Sequence, residues 1–262
     1  MKKRKIARVS VAIIVAVVLF VGGYFAFLGR NRPAPIPAKE TLYEGVTYQR
    51  VVKYFPSAMI AHIIKIDTKT KGIQFLVTPA DSKSETPLNA RTTSQFLDEF
   101  GLQIAVNGDG FTPWWSRGPA DYYPHAGDPV APLGFTASNG DDYWKGVELD
   151  EGERPTLYIS RRNAFSFNDK PNRVYNAISG DRMIVLQGQP VSGLDDSALD
   201  PRTAIGLNKN GRYVYLVVVD GRQPFYSAGI TFADLAQLLI DHGVYVAMSL
   251  DGGVVVHAGG RG

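Results

Sequence analysis

Tyr213-Val214-Tyr215-Leu216-Val217-Val218-Val219-Asp220-Gly221-Arg222 sets seven strand-forming, mostly apolar residues ahead of an acid, a glycine and a base. A continuous run of β-branched and aromatic side chains predicts a strand buried on both faces. Its ending poses the question that decides the rest. An Asp-Gly pair after a strand is most often a type I′ hairpin turn, but Arg222-Gln223-Pro224 is a poor start for a return strand. The other reading is that the strand delivers a charged group to a site. The pattern recurs, which favours that reading. Residues 103–106 run into Asn107-Gly108-Asp109-Gly110, and residues 244–250 run into Asp251-Gly252-Gly253. Glycine at such places lets backbone approach a ligand or adopt positive φ. At Asp251 the hairpin reading stays open, because Val254-Val255-Val256 can serve as the return strand. A fourth piece is Arg202-Thr203, at the head of an apolar run to Leu207; Arg202 alone would equally suit a surface carboxylate. By pattern, these ends describe a site for an anionic ligand.

The 262 residues are 45% apolar and 20% charged, an ordinary globular composition with ample length for a core. The absence of cysteine removes disulfides, thiol nucleophiles and cysteine-based zinc sites. The net charge of +3 misleads as a guide to partners. Residues 1–32 hold seven basic residues and no acid, leaving 21 basic against 25 acidic in the remainder. No nucleic-acid partner follows from that balance.

The basic excess flanks residues 9–28, whose only polar groups are Ser10 and Tyr24. Twenty helical residues span roughly 30 Å, the thickness of a bilayer core. Five basic residues precede the run and two follow, so a cytoplasmic N-terminus and an extracytoplasmic domain are expected. The rival, a cleaved signal peptide, has a shorter apolar stretch and a clearer cleavage site. The expected organisation is a basic tail (1–8), a transmembrane signal-anchor (9–28), a proline-rich linker (29–40) and one domain (41–262). Strands are predicted at 59–65, 72–77, 103–106, 133–137, 156–160, 183–187, 203–207, 213–219 and 244–250. Helices are predicted at 93–100, capped by Thr93 or Ser94, and at 231–242. In the second, Thr231 caps, Gly243 follows the end, and Phe232, Leu235, Leu238 and Leu239 form one apolar stripe. Many strands with few helices predict an α+β fold: a mixed β-sheet core with a few packed helices.

The four histidines show no metal-binding spacing, and no nucleophile elbow or P-loop is present. His62 alternates within a strand and reads as structural; His242 ends a helix, where a cation suits the dipole. His125, in the aromatic stretch Tyr122-Tyr123-Pro124-His125, is the one histidine read as a candidate ligand contact. Asn107-Gly108-Asp109-Gly110 lacks the spaced acids of a calcium loop. No cofactor or metal site is expected, with a divalent cation such as calcium left open.

AVNGDGFTPW, APLGFTASNG, DPRTAIGL, YLVVVDGRQPFYSAGITFADLAQLL and VAMSLDGG, in that order, resemble the phosphodiester glycosidase domain family over residues 45–253. The resemblance implies an α+β domain whose polar strand ends line one cleft, acting on sugar phosphodiesters. It implies a functional set at Asn107, Gly108, Arg202, Thr203, Asp220, Gly221, Arg222, Asp251, Gly252 and Gly253. In that scheme Asp220 is the catalytic carboxylate, with Asp251 as orienting partner or second carboxylate. Arg202 and Arg222 hold phosphate, for which a guanidinium fork is suited. Asn107 meets sugar hydroxyls or phosphate oxygen, and Asp109 and His125 join the substrate-binding set. The expected partner is a carbohydrate phosphodiester of a cell-surface or exopolysaccharide glycan. The chain also departs from the family pattern. Val254, Val255 and Val256 replace a glycine and small hydroxyl residues, Ser249 replaces an asparagine, and the sequence stops at Gly262 in what reads as an interrupted hairpin. These departures sustain a second reading, a non-catalytic polysaccharide-binding module of the same fold. A metal phosphoesterase has the acids but lacks the histidines.

Overall fold

A computed structural model describes residues 2–31, 35–118, 120–147, 154–224 and 226–251. Its centre is an eight-stranded sheet. In spatial order the strands are Ala38–Tyr43, Val46–Lys53, Met59–Asp67, Tyr213–Val219, Arg202–Leu207, Val246–Leu250, Arg182–Leu186 and Gln189–Pro190. Every pairing in it is antiparallel, which corrects the expectation of a mixed sheet. Antiparallel neighbours need no crossover helices, so the fold carries few of them.

Alternation along the strands divides the core in two. On one face Tyr215, Val217 and Val219 pack with Ala61, Ile63 and Ala204 against α3 (Phe232–Asp241), which follows α1 (Lys2–Asn31) and α2 (Thr93–Glu99) in the chain. On the other, Val214, Ile64, Ile66, Ile205, Leu207 and Met248 meet Leu157 and Ile159 of a five-stranded sheet. The result is helix, sheet and second sheet in layers, which is why the 213–219 run is apolar throughout. Thr231 caps α3 by accepting a hydrogen bond from the Asp234 amide at 3.0 Å, and Gly243 follows at φ +88°. The shorter helix Thr93–Glu99 is capped by Thr92 rather than Thr93 or Ser94, in a capping box closed by Gln95.

Two predicted strands are extended segments outside any ladder. Along residues 72–77 the backbone carbonyls are taken by side chains: Asn163 on Ile73, Asn176 on Phe75 and Ser138 on Val77. Residues 103–106 likewise pair with no strand; Ile104 packs on the second core cluster and delivers Asn107 to the end of the main sheet. The first strand begins at Ala38, inside the expected linker.

Lys2–Asn31 forms one helix over the expected transmembrane run, with Leu19 and Phe20 exposed. Among the described residues no helix is long and apolar enough to cross a membrane. The side chains of residues 2–9, 12 and 28–31 lie outside the described set. The transmembrane helix expected at 9–28 is accordingly not shown.

Candidate active site

Three strand ends meet at one edge of the main sheet. Because the 202–207 strand runs antiparallel to both neighbours, its first residues lie beside the last residues of the 213–219 and 246–250 strands. Arg202 stands opposite Val219, and Thr203 opposite both Val218 and Leu250. A row that is polar except at Val218 crosses this edge on the face of the second sheet: Arg50, His62, Val218 and Thr203 are direct cross-strand neighbours. Asp220 lies one step beyond Val218 on the same face.

Asp220 is 7% exposed and held through its amide, its carbonyl and one carboxylate oxygen. Its amide donates to the Ile60 carbonyl at 3.0 Å. Its carbonyl accepts the Ser227 hydroxyl at 2.6 Å, and the same hydroxyl oxygen accepts the Ile60 amide at 3.2 Å. The carboxylate Oδ2 lies 3.2 Å from Nε2 of His62. A carboxylate only accepts, so Nε2 carries the proton and Nδ1 is left to accept from the Tyr48 hydroxyl at 2.8 Å. Arg50 Nε in turn donates to that hydroxyl oxygen at 3.2 Å, and this bond pushes the guanidinium pKa above its usual value. With His62 neutral, the hydrogen bonds run in one direction from Arg50 through Tyr48 and His62 to Asp220. Among the described residues Oδ1 of Asp220 has no hydrogen-bond partner, and it is not one of the fully buried unpartnered atoms, so it is open to solvent.

The predicted Asn107, Thr203 and Asp251 do come together. Thr203 Oγ1 donates to the Asn107 side-chain oxygen at 2.6 Å, Asn107 Nδ2 donates to the Asp251 carbonyl, and the Asp251 amide donates to the Gly108 carbonyl at 3.0 Å. This ties the 103–108 segment across two strand ends. Gly252 and Gly253 lie outside the described residues.

Other predicted members sit elsewhere. Arg202 shares its face with Val219, not with Thr203. Its guanidinium lies 3.7 Å from the centre of the Phe232 ring on α3, and burial holds its pKa below the usual guanidinium value. Asp200 accepts from Arg222 at 2.6 Å through Oδ1 and from Arg202 at 3.4 Å through Oδ2, so one acid serves both cations. The expectation that Arg202 joins Asp220 in one cleft is corrected: adjacent residues on a strand face opposite ways, and Thr203 holds the site side. Gly221 is required sterically, since a Cβ there would lie 2.3 Å from the Pro201 nitrogen; Arg222 follows at φ +54° as the chain turns. Asp109 is a second correction. It is 3% exposed, and Arg154 at 2.6 Å, Gly110 at 2.8 Å and Gly134 at 2.7 Å occupy its oxygens. Burial pushes its carboxyl above the ordinary range in spite of Arg154. It holds the loop instead of facing a ligand. His125 is largely exposed, 3.5 Å from Asp128, with its ring tilted at 34° to that of Tyr122. No described contact joins it to Asp220.

The histidine that meets Asp220 is His62, which alternation alone marks as structural. The signal for it is register: His62 stands directly opposite Val218, two residues before the acid. Ser227 and Tyr48 carry no comparable mark. Among the described residues, no group of three or more His, Asp and Glu is placed to hold a metal ion.

Residues 100–256 match the family described as phosphodiester glycosidase. No curated protein matches. Among solved structures, the chain is similar to a hypothetical protein from Synechocystis, with 15% identity and a TM-score of 0.55 over 84% of this chain. It spans 58% of that structure's length. It is also similar to the zebrafish N-acetylglucosamine-1-phosphodiester alpha-N-acetylglucosaminidase catalytic domain, auto-inhibited by its pro-peptide. There the identity is 18% and the TM-score 0.54, over 85% of this chain and 73% of that one. A putative exported protein from Burkholderia pseudomallei shares 14% identity at a TM-score of 0.50, over 75% of this chain and 68% of that one. At these identities the likeness is one of fold.

Proposed function

We propose that this chain, which belongs to the phosphodiester glycosidase family, hydrolyses a sugar-1-phosphodiester of a cell-surface or exopolysaccharide glycan. The zebrafish relative's name suggests the type of linkage, N-acetylglucosamine to phosphate. The observation that carries the reading is Asp220: a buried carboxylate at a strand end, one oxygen engaged by His62 and the other unengaged.

The leaving group is a phosphate monoester, a much weaker base than a sugar hydroxyl. Protonating it matters less than in ordinary glycoside hydrolysis, where two carboxylates divide the work. One well-placed carboxylate then suffices to activate water or to attack the anomeric carbon. In the first route the anomeric C–O bond breaks and its electron pair leaves with phosphate. Water supplies the new hydroxyl, and Asp220 takes the proton. His62 is a positioning residue that presents the carboxylate. Asn107 and Thr203 address the sugar or phosphate oxygens, and Asp251 is the orienting partner or second carboxylate. Arg50 is the cation best placed for phosphate, because it shares a face with Asp220 and is not neutralised by Asp200.

The apolar run at 9–28 supports an anchor with a cytoplasmic tail, a linker over 29–40 and an extracytoplasmic domain from 41. The test uses the full chain in a detergent without a sugar headgroup, incubated with an N-acetylglucosamine-1-phosphodiester. Sugar release that falls by about 100-fold or more in Asp220→Asn is the expected result. No release from folded protein would overturn the enzymatic reading in favour of the binding module, which Val254, Val255 and Val256 favour.

A further inference from the structure

On the opposite face of the main sheet from Asp220, next to the C-terminal end of α3, a cavity of about 470 Å³ opens. It is walled by Lys39, Thr47, Gln49, Lys65, Asp67, Tyr213, Tyr215 and His242. Cross-strand register explains the grouping. Thr47, Lys65 and Tyr215 are direct neighbours across three strands, Tyr213 stands opposite Asp67, and Lys39 opposite Gln49. The volume lies within the range of small-ligand sites.

Three features point to a ligand. Tyr215 is only 4% exposed, and its hydroxyl, which has no hydrogen-bond partner among the described residues, is open to the cavity, 3.7 Å from where a side chain on Gly243 would begin. A phenolic hydroxyl can both donate and accept, so this one is free to meet a polar ligand there. His242 Nδ1 is engaged with the Leu238 carbonyl at 2.7 Å, which leaves Nε2 as its remaining polar atom. The third is charge. Lys39 and Lys65 have no carboxylate within ion-pair distance among the described residues, and Lys65 Nζ lies 4.1 Å from the centre of the Tyr213 ring. The cavity's one acid, Asp67, is already bound by Arg212 at 2.7 Å. A basic hollow thus sits on a domain in which acids outnumber bases from residue 33 onward.

We propose that this cavity is a second ligand site, separate from the Asp220 edge, and that it takes a phosphorylated sugar. The lysines meet the phosphate. Thr47, Gln49, the Tyr215 hydroxyl, His242 and the Asp67 carboxylate offer the donors and acceptors that sugar hydroxyls need, and the Tyr213 ring gives an apolar wall.

The experiment is isothermal titration of the full chain in detergent with glucose 6-phosphate, glucose and inorganic phosphate. The comparison includes Asp220→Asn, the double variant Lys65→Gln/Tyr215→Phe, and the exposed single variant Lys39→Gln. Glucose 6-phosphate should bind wild type and Asp220→Asn alike. Binding should weaken at least tenfold in the double variant and severalfold in Lys39→Gln, while phosphodiester turnover and the thermal transition stay unchanged. No binding to wild type, loss of binding in Asp220→Asn, or full binding in both cavity variants would overturn the site. Equal affinity for inorganic phosphate would overturn the sugar part of the assignment. None of the binding readings depends on the chain being a glycosidase.

Discussion

At the scale of single residues, the candidate chemistry depends on how rigidly one carboxylate is presented. Asp220 is held through its amide, its carbonyl and one carboxylate oxygen, so removing a holder should reduce turnover without removing substrate contacts. His62→Ala is expected to lower kcat by about ten- to a hundredfold, a loss within what positioned acid–base groups contribute, with KM nearly unchanged. His62→Gln, whose amide can still donate to Oδ2, should recover part of it. Equal losses in the two variants, or a loss confined to KM, would remove His62 from the reaction. Ser227→Ala acts differently. Ser227 is fully buried and serves both the Asp220 carbonyl and the Ile60 amide. Its removal should cost about 1–3 kcal/mol of stability, the penalty for stranding buried polar groups, read as a lower midpoint in urea with an unchanged slope. The acid was legible in the sequence because it ends an apolar run. Its partner was not, because His62 is 158 positions away and only the pairing register of two strands brings it near. Arg202 misled for the opposite reason. It adjoins Thr203 in sequence, and the two-residue period of a strand sends neighbours to opposite faces.

At the scale of elements, helices and central strands were readable from local signals, while the edges were not. The helix α3 carried its own punctuation, Thr231 before it and Gly243 after, and formed at Phe232–Asp241. The central strands carried unbroken apolar runs and formed within about two residues of the expected bounds. The strands Ala38–Tyr43 and Val46–Lys53 went unmarked: their burial is partial, and residues such as Lys39, Glu40, Gln49 and Arg50 blur the apolar pattern. Residues 72–77 and 103–106 have strand composition without a ladder, because side-chain hydrogen bonds, and for the second segment the contacts of Asn107 and Gly108 that follow it, take the place of a neighbouring strand. The same logic gives α3 a prediction. Thr231 is 4% exposed, and its oxygen satisfies the Asp234 amide, so Thr231→Ala should destabilise by about 1 kcal/mol while Thr231→Ser changes little. Leu235, fully buried under the same helix, should cost about 2–5 kcal/mol as Leu235→Ala. A smaller loss at Leu235 than at Thr231, measured by chemical denaturation, would contradict the view that packing on the sheet, rather than capping, holds this helix.

At the scale of the whole molecule, ion pairs join segments that the sheets do not. Arg91 donates to Asp81 at 2.5 Å and to Glu99 at 2.5 Å, fastening the 81–91 loop to the end of the Thr93–Glu99 helix. Arg212 holds Asp67 at 2.7 Å where Tyr213 already pairs with it across the main sheet, so this ion pair reinforces a join that the sheet makes. Hydrogen bonds from these guanidinium groups hold the carboxyls of Asp81, Glu99 and Asp67 below their ordinary values. A carboxyl depressed in the folded state binds its proton less readily there than in the unfolded chain. Its contribution to stability is therefore complete above the ordinary carboxyl range, near pH 4, and is lost as pH falls through the depressed values. The melting temperature should hold from pH 7 to about pH 5 and decline below about pH 4. Arg91→Met separates one pair of these terms from the rest. At pH 7 it should lower Tm by a few degrees, and the gap to wild type should shrink as acid protonates Asp81 and Glu99 in both proteins. A gap that stays constant down to pH 2 would mean that Arg91 stabilises through its stem packing against Phe100, 5.8 Å from its guanidinium, and not through charge.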